Sequence, residues 1–146
     1  MDSDNDEVTR LLVVLAEKIH SCQGILSAQE VANALYGLKN MSCDRKEVRD
    51  LLDALSKHVE QCQESFTAQN IGCACFAFKR MKSDSVEVRH MLNLLRRHIL
   101  GCKMPLTSQA IGNAFYGMKG MDSNVKEVKG VLDALKLCVV KNTLGS

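Results

Sequence analysis

A repeat of constant length is the feature of this sequence that most restricts its fold. A Glu-Val dipeptide begins at residues 7, 47, 87 and 127, so it recurs with a step of 40 residues. The same step separates three other sets of residues: Gln29, Gln69 and Gln109; Met41, Met81 and Met121; Cys22, Cys62 and Cys102. No insertion interrupts this register. A repeat of this length is one supersecondary unit, so equivalent units should pack against one another.

Each unit carries a longer helical pattern. Apolar residues occur at i, i+3, i+4, i+7 and i+11, which places them on one face of a helix. In the second unit these are Val48, Leu51, Leu52, Leu55 and Val59. An Asp or Asn precedes a Glu by three residues at every start, which predicts a capping box. The predicted boxes are Asp4 with Glu7, Asp44 with Glu47, Asp84 with Glu87 and Asn124 with Glu127.

A shorter helical pattern follows in three of the units. It begins after Ser27, Thr67 and Thr107, which are favoured N-cap residues. Asn40 and Gly120 tolerate a left-handed conformation and predict where this helix ends. Small residues keep the helix thin, so that neighbouring copies should approach closely; they are Ala32, Gly72 and Gly112, with Gly37, Ala77 and Gly117.

The sequence therefore predicts an all-α, right-handed α-solenoid of three 40-residue helix-pair repeats plus a terminal helix, with seven helices in total. Stacked pairs can bury apolar faces that one pair leaves open. The predicted units are about 4–43, 44–83 and 84–123, with a closing helix over 124–141, in a single domain covering 1–146. Leu137, Val139 and Val140 place apolar side chains near the end. Either the short tails fold back over them, or the units belong to a longer array or associate end to end.

Composition and cysteine content indicate a chain with free thiols and no membrane-spanning segment. The net charge of +2 predicts no particular partner, and no apolar run is long enough to span a bilayer. Seven Cys, an odd number, favour free thiols in a reducing intracellular compartment, either cytoplasm or an organelle. Cys22, Cys62 and Cys102 are expected to be buried as small hydrophobes.

No sequence motif indicates catalysis. H-E-x-x-H, C-x-x-C and a phosphate-binding glycine loop do not occur, so we expect no metal, no cofactor and no enzymatic activity. His58 and His98 occupy equivalent positions near the end of the longer helix. Such residues can complement the helix dipole, and we expect them to be structural or only solvated.

A polar and aromatic stripe on the shorter helix is the candidate binding surface. Amides on base edges, rings stacked on bases and lysines on phosphates would bind single-stranded RNA. In the alternative interpretation the amides form a hydrogen-bond ladder between units, the rings pack between units, and the lysines are only solvated. The candidate residues are Gln29, Asn33, Tyr36, Lys39, Gln69, Phe76, Lys79, Gln109, Asn113, Tyr116 and Lys119.

The stretch 27–41, SAQEVANALYGLKNM, resembles the core of octotricopeptide-type repeats, which are helix-pair repeats of organellar RNA-binding proteins. The middle unit departs from that pattern at Cys73 and Phe76, and Tyr36 stands where the family has Trp. The chain is also similar, more loosely, to HEAT-like α-solenoids, most of which bind proteins. The resemblance implies a non-catalytic scaffold that binds single-stranded RNA along a groove, or alternatively a protein or peptide. The matching residues are Gln29, Val31, Ala32, Asn33, Leu35, Tyr36 and Leu38, and Gln109, Ile111, Asn113, Phe115, Tyr116 and Met118.

Overall fold

The computed structural model describes the backbone of residues 6–144 and the side chains of residues 6–140. Seven helices and no strands are present within that range, which confirms the all-α prediction. The closing helix starts and ends later than the predicted range 124–141. The helices are α1 (Asp6–Ser21), α2 (Ala28–Tyr36), α3 (Lys46–Gln61), α4 (Ala68–Phe76), α5 (Val86–Leu100), α6 (Ser108–Met118) and α7 (Lys126–Leu144).

The helices pack in two rows. The longer helices α1, α3, α5 and α7 contact one another in that order, and so do the shorter helices α2, α4 and α6. Their apolar faces form one continuous core, to which both rows contribute fully buried side chains. Among these are Leu52 and Leu92 from the longer row, and Leu35 and Ile71 from the shorter row.

The shorter helices begin where the sequence predicts. Ser27 Oγ accepts from the backbone amide of Glu30 (3.1 Å), and Glu30 Oε1 accepts in return from the amide of Ser27 (2.9 Å). The bond from the Ser27 amide lowers the pKa of the Glu30 carboxyl. Thr67 and Asn70 make the same reciprocal pair, and the Thr107 side chain accepts from the amide three residues ahead. These bonds satisfy first-turn amides that have no partner inside the helix.

The capping boxes predicted for α3, α5 and α7 are wrong. The N-cap of α3 is Arg45, whose side chain makes no capping bond, and the N-cap of α5 is Ser85. The amide of Asp44 instead donates to Ser42 Oγ (3.1 Å), so Asp44 belongs to the preceding turn. Asn124 also lies in a turn before its helix, which begins at Lys126. The box predicted for α1 includes Asp4, which lies outside the described residues.

The predicted end is right for α6, in which Lys119 is the C-cap and Gly120 follows it, and is wrong for α2, which ends at Tyr36. After Tyr36 the chain continues in a tight right-handed turn, in which the amide of Leu38 donates to the carbonyl of Leu35 (2.8 Å). Bonds of this kind satisfy the last helical carbonyls without a left-handed residue. None of the described residues has a positive φ, so neither Asn40 nor Gly120 has the predicted conformation.

One side chain from each of α3, α5 and α7 bonds to the last turn of the longer helix before it. The acceptor is always a carbonyl that has no partner inside its own helix. The two histidines therefore have a structural role. Each bonds to a carbonyl at the end of the longer helix of the previous unit, and not to the end of its own helix. The pairs are His58 Nε2 with Ile19 O (2.9 Å), His98 Nε2 with Val59 O (2.7 Å) and Cys138 Sγ with Ile99 O (3.3 Å).

Glycine allows close approach between the shorter helices. A methyl group at Gly117 would lie 2.0 Å from the carbonyl oxygen of Cys75 and 2.7 Å from the Cα atom of Phe76. A methyl group at Gly72 would lie 3.1 Å from the Cα atom of Ala110. Helices α4 and α6 therefore touch at their backbones, as the small residues predict.

The apolar side chains near the end of α7 are not covered. Leu137 is 58% exposed and Val140 is 44% exposed, while Val139 is half-buried. The tail residues 1–5 and 145–146, which the first interpretation folds back over these side chains, lie outside the described residues, so that interpretation stays a prediction.

Two glycines of α6 should respond oppositely to alanine. Gly117→Ala should lower the free energy of unfolding by about 1–3 kcal/mol, because its methyl group meets backbone that cannot move aside. Gly112→Ala should raise it by about 0.5–1 kcal/mol, because Gly112 has no neighbour within 4 Å and Ala favours the helix. Urea denaturation measures both values. Equal stabilities for the two variants would contradict the backbone contact between α4 and α6.

Candidate functional site

A groove crosses the three shorter helices. Its volume is about 590 Å³, and none of its lining residues is charged. Gly72 and Ala110, which form one of the close contacts between α4 and α6, are part of its lining. Five of the predicted site residues line it, so the fold brings together positions from all three units. The lining residues are Asn33 and Tyr36 from α2, Gln69, Gly72 and Cys73 from α4, and Thr107, Gln109, Ala110 and Asn113 at the start of and along α6.

The amides of the groove are largely unpaired within the protein. Among the residues with described side chains, Gln69, Gln109 and Asn113 have no hydrogen-bond partner. The exception in the groove is Asn33, whose Oδ1 accepts from Nε2 of Gln29 (3.0 Å). Gln29 is not part of the lining, and its Oε1 accepts from Asn70 Nδ2 (3.3 Å). The ladder of equivalent amides considered from the sequence is therefore not formed, and three amides remain available to a ligand.

The aromatic residues form a column along the row of shorter helices. The ring centroids of Tyr36 and Phe76 are 5.7 Å apart, and those of Phe76 and Tyr116 are 5.5 Å apart, with interplanar angles of 28° and 20°. Both faces of Phe76 are therefore occupied by its neighbours. The prediction that every ring offers a stacking platform to a base is wrong for Phe76, and the alternative in which the rings pack between units describes the column.

The three lysines lie over the three rings. Lys39 Nζ is 4.1 Å from the Tyr36 ring centroid, and Lys119 Nζ is 4.2 Å from the Tyr116 centroid. The corresponding distance from Lys79 to the Phe76 ring is 5.1 Å. Cation–π attraction holds each ammonium group beside its ring. The result is a row of three positive charges along the aromatic column.

The thiols near the groove differ in accessibility. Cys73 is half-buried and lines the groove, whereas Cys75 is fully buried, and burial raises the pKa of the Cys75 thiol to about 12. The expectation that the equivalent residues Cys22, Cys62 and Cys102 are buried holds for Cys62 alone. Cys102 is half-buried and Cys22 is exposed.

Two side chains of the groove, Cys73 and Thr107, are not among the predicted site residues. Cys73 is the equivalent of Asn33 and Asn113, so the repeat register could have placed it there. The sequence predicts Thr107 as a helix cap, and no sequence pattern indicates that it also lines the groove.

Comparison with protein-family models, curated proteins and solved structures gave no match to this chain. The resemblance to octotricopeptide-type repeats therefore stays a prediction. Within residues 6–144, no helix combines the length and apolar character that crossing a bilayer requires. The described side chains contain no group of three or more His, Cys, Asp or Glu arranged to hold a metal ion.

Alkylation should distinguish the cysteines of the folded protein. With iodoacetamide at pH 8, Cys22 and Cys73 should be modified well before Cys75, because the attacking thiolate requires both ionisation and access. Peptide mass spectrometry at timed intervals measures the order, and the urea-unfolded chain is the control in which all three should react. Modification of native Cys75 as fast as Cys22 would contradict its burial.

Proposed function

We propose that this chain is a non-catalytic helical-repeat scaffold, a right-handed α-solenoid that binds single-stranded RNA in the groove across α2, α4 and α6. The observation that carries the proposal is the set of unpaired amides of Gln69, Gln109 and Asn113, which face one groove. An amide side chain offers both a donor and an acceptor. Base edges of unpaired nucleotides present the complementary groups.

The distribution of charge supports RNA as the ligand. Lys39, Lys79 and Lys119 follow the aromatic column on the shorter helices. Acidic residues gather instead between α1 and α3, where a separate cavity of about 230 Å³ is lined by Glu17, Glu47, Asp50 and Asp53, among others. A polyanion is therefore attracted to the row of shorter helices and repelled from the surface between α1 and α3.

The closed ring column changes how the groove would hold RNA. A base cannot stack on Phe76 unless it separates the rings. Recognition in this proposal therefore depends on the amides for base edges and on the lysines for phosphates. Three units can contact only a few nucleotides, so we expect modest affinity that falls strongly with salt.

Replacing the lysine row should weaken RNA binding and reduce its salt dependence. For the triple variant Lys39→Gln, Lys79→Gln and Lys119→Gln, the slope of log K against log salt should become shallower by about 2, because each phosphate contact contributes about 0.7. Fluorescence anisotropy with a pool of labelled random single-stranded RNA measures both quantities.

The matched control changes three exposed lysines of the longer row, Lys57→Gln, Lys126→Gln and Lys136→Gln, which removes the same charge away from the groove. This variant should retain most of the affinity. Equal losses in both variants would show binding by net charge alone and would contradict a site in the groove. Absence of binding to the unaltered protein at low salt would overturn the RNA proposal.

A peptide ligand is the alternative that the same assay can reveal. The uncharged lining of the groove would also suit an extended peptide, whose backbone amides could pair with the side-chain amides. Saturable binding of a labelled uncharged peptide pool, lost on Asn113→Leu and unaffected by the triple lysine variant, would favour a protein-interaction scaffold and contradict RNA as the ligand.

A further inference from the structure

The side of α6 that faces away from α4 carries exposed apolar side chains. Phe115 is 42% exposed and Tyr116 is 46% exposed, whereas Leu35 and Cys75, the equivalents of Phe115, are 0% and 1% exposed. Helix α7 already packs on α5, so the longer row extends past α6. The exposure of Phe115 therefore reflects a missing neighbour in the shorter row alone.

The contact between α4 and α6 shows what such a neighbour must look like. Ala110 of α6 packs against Gly72, and Gly117 passes over the backbone of Cys75. The Tyr116 ring stacks on the Phe76 ring. Each feature of α4 in this contact has an equivalent on α6.

The equivalent features of α6 are open. Gly112 corresponds to Gly72, and it has no neighbour within 4 Å. Phe115 corresponds to Cys75, and Tyr116 corresponds to Phe76 and is the end of the ring column. Gly112, Phe115 and Tyr116 therefore present a notch, an apolar side chain and a ring. The equivalent residues of α4 occur in the same order and contact α6.

A second copy of the chain stacked in register cannot cover this surface. For the α2 helix of another copy to lie against α6, its α1 helix would need the place that α7 occupies, because α1 and α7 are equivalent in the longer row. If α1 of that copy instead packed on α7, the place beside α6 would stay empty. The end-to-end association considered from the sequence therefore leaves Phe115 exposed.

We propose that this side of α6 is a docking site for a single short amphipathic helix of a partner protein, continuing the row of α2, α4 and α6. The α4–α6 contact defines the partner helix: a small residue against Gly112, an aromatic residue six positions later that stacks on Tyr116, and Gly or Ala directly after the aromatic residue. Ala110, Tyr116 and Gly117 follow this pattern within the chain itself. The docking site does not depend on the ligand of the groove.

A peptide with the sequence of residues 105–120 is the probe, because it contains the helix that packs on the equivalent surface of α4. Titrated into the isotope-labelled full chain, it should shift the NMR amide signals of Gly112, Phe115 and Tyr116 in a saturable manner. The affinity should be weak, because a helix of this length is marginal in isolation. Gly112→Leu in the protein fills the notch and should weaken binding roughly tenfold or more.

Gly24→Leu is the matched control, since Gly24 also has no neighbour within 4 Å and lies in the α1–α2 connection. It should leave the peptide affinity unchanged. A peptide carrying Gly117→Leu should fail to bind the unaltered protein, because its larger side chain would meet the backbone at Phe115. This second variant tests the site without any change to the protein, and the melting temperature verifies that the Gly112→Leu protein is folded.

Three results would overturn the proposal. The first is the absence of shifts on α6 at millimolar peptide. The second is equal binding of the Gly117→Leu peptide. The third is a concentration-dependent dimer in sedimentation that Gly112→Leu converts to a monomer, because a second copy would then cover the surface in an arrangement other than register stacking.

Discussion

Helix α6 lies so close to α4 that any side chain at Gly117 would meet the carbonyl oxygen of Cys75. This contact determines the spacing of α4 and α6. It brings the rings of Phe76 and Tyr116 to 5.5 Å, which closes the aromatic column. It also makes Gly72 and Ala110 part of the groove lining, between the amides of successive units. Close backbone packing thus builds the candidate site and at the same time removes the middle ring from it.

The longer helices are also held with equivalent residues opposite each other, but by hydrogen bonds between a side chain and a backbone carbonyl. Each tie joins a side chain to a carbonyl 39 residues earlier, as in His58 with Ile19 and His98 with Val59. One inserted residue would rotate the rest of a helix by about 100° and move the imidazole away from its carbonyl. The constant length of the units is therefore a physical requirement, because both rows must keep equivalent residues opposite each other at once.

Much of this arrangement could be predicted because apolar spacing and cap residues act locally. The helix faces and the caps at Ser27, Thr67 and Thr107 follow from residues a few positions apart. The caps predicted at Asp44 and Asp84 are wrong because Asp is common both at N-caps and in the turns that precede helices. Each Asp lies one residue before the actual N-cap, and the spacing of side chains alone does not separate the two positions. The partner of His58 and the closure of the ring column depend on residues about 40 positions away, so local patterns could not reveal them.

The two candidate surfaces differ in chemistry, and both depend on equivalent positions lying opposite each other. The groove offers unpaired amides beside a row of lysines, whereas the open side of α6 offers Gly112 and Phe115 to an apolar helix. Nuclear Overhauser effects between ring protons test the underlying register most directly, since the chain has only two Tyr and four Phe. The account predicts ring-to-ring effects between Tyr36 and Phe76 and between Phe76 and Tyr116, with none between Tyr36 and Tyr116. Rings that show effects only to the longer helix of their own unit would contradict it.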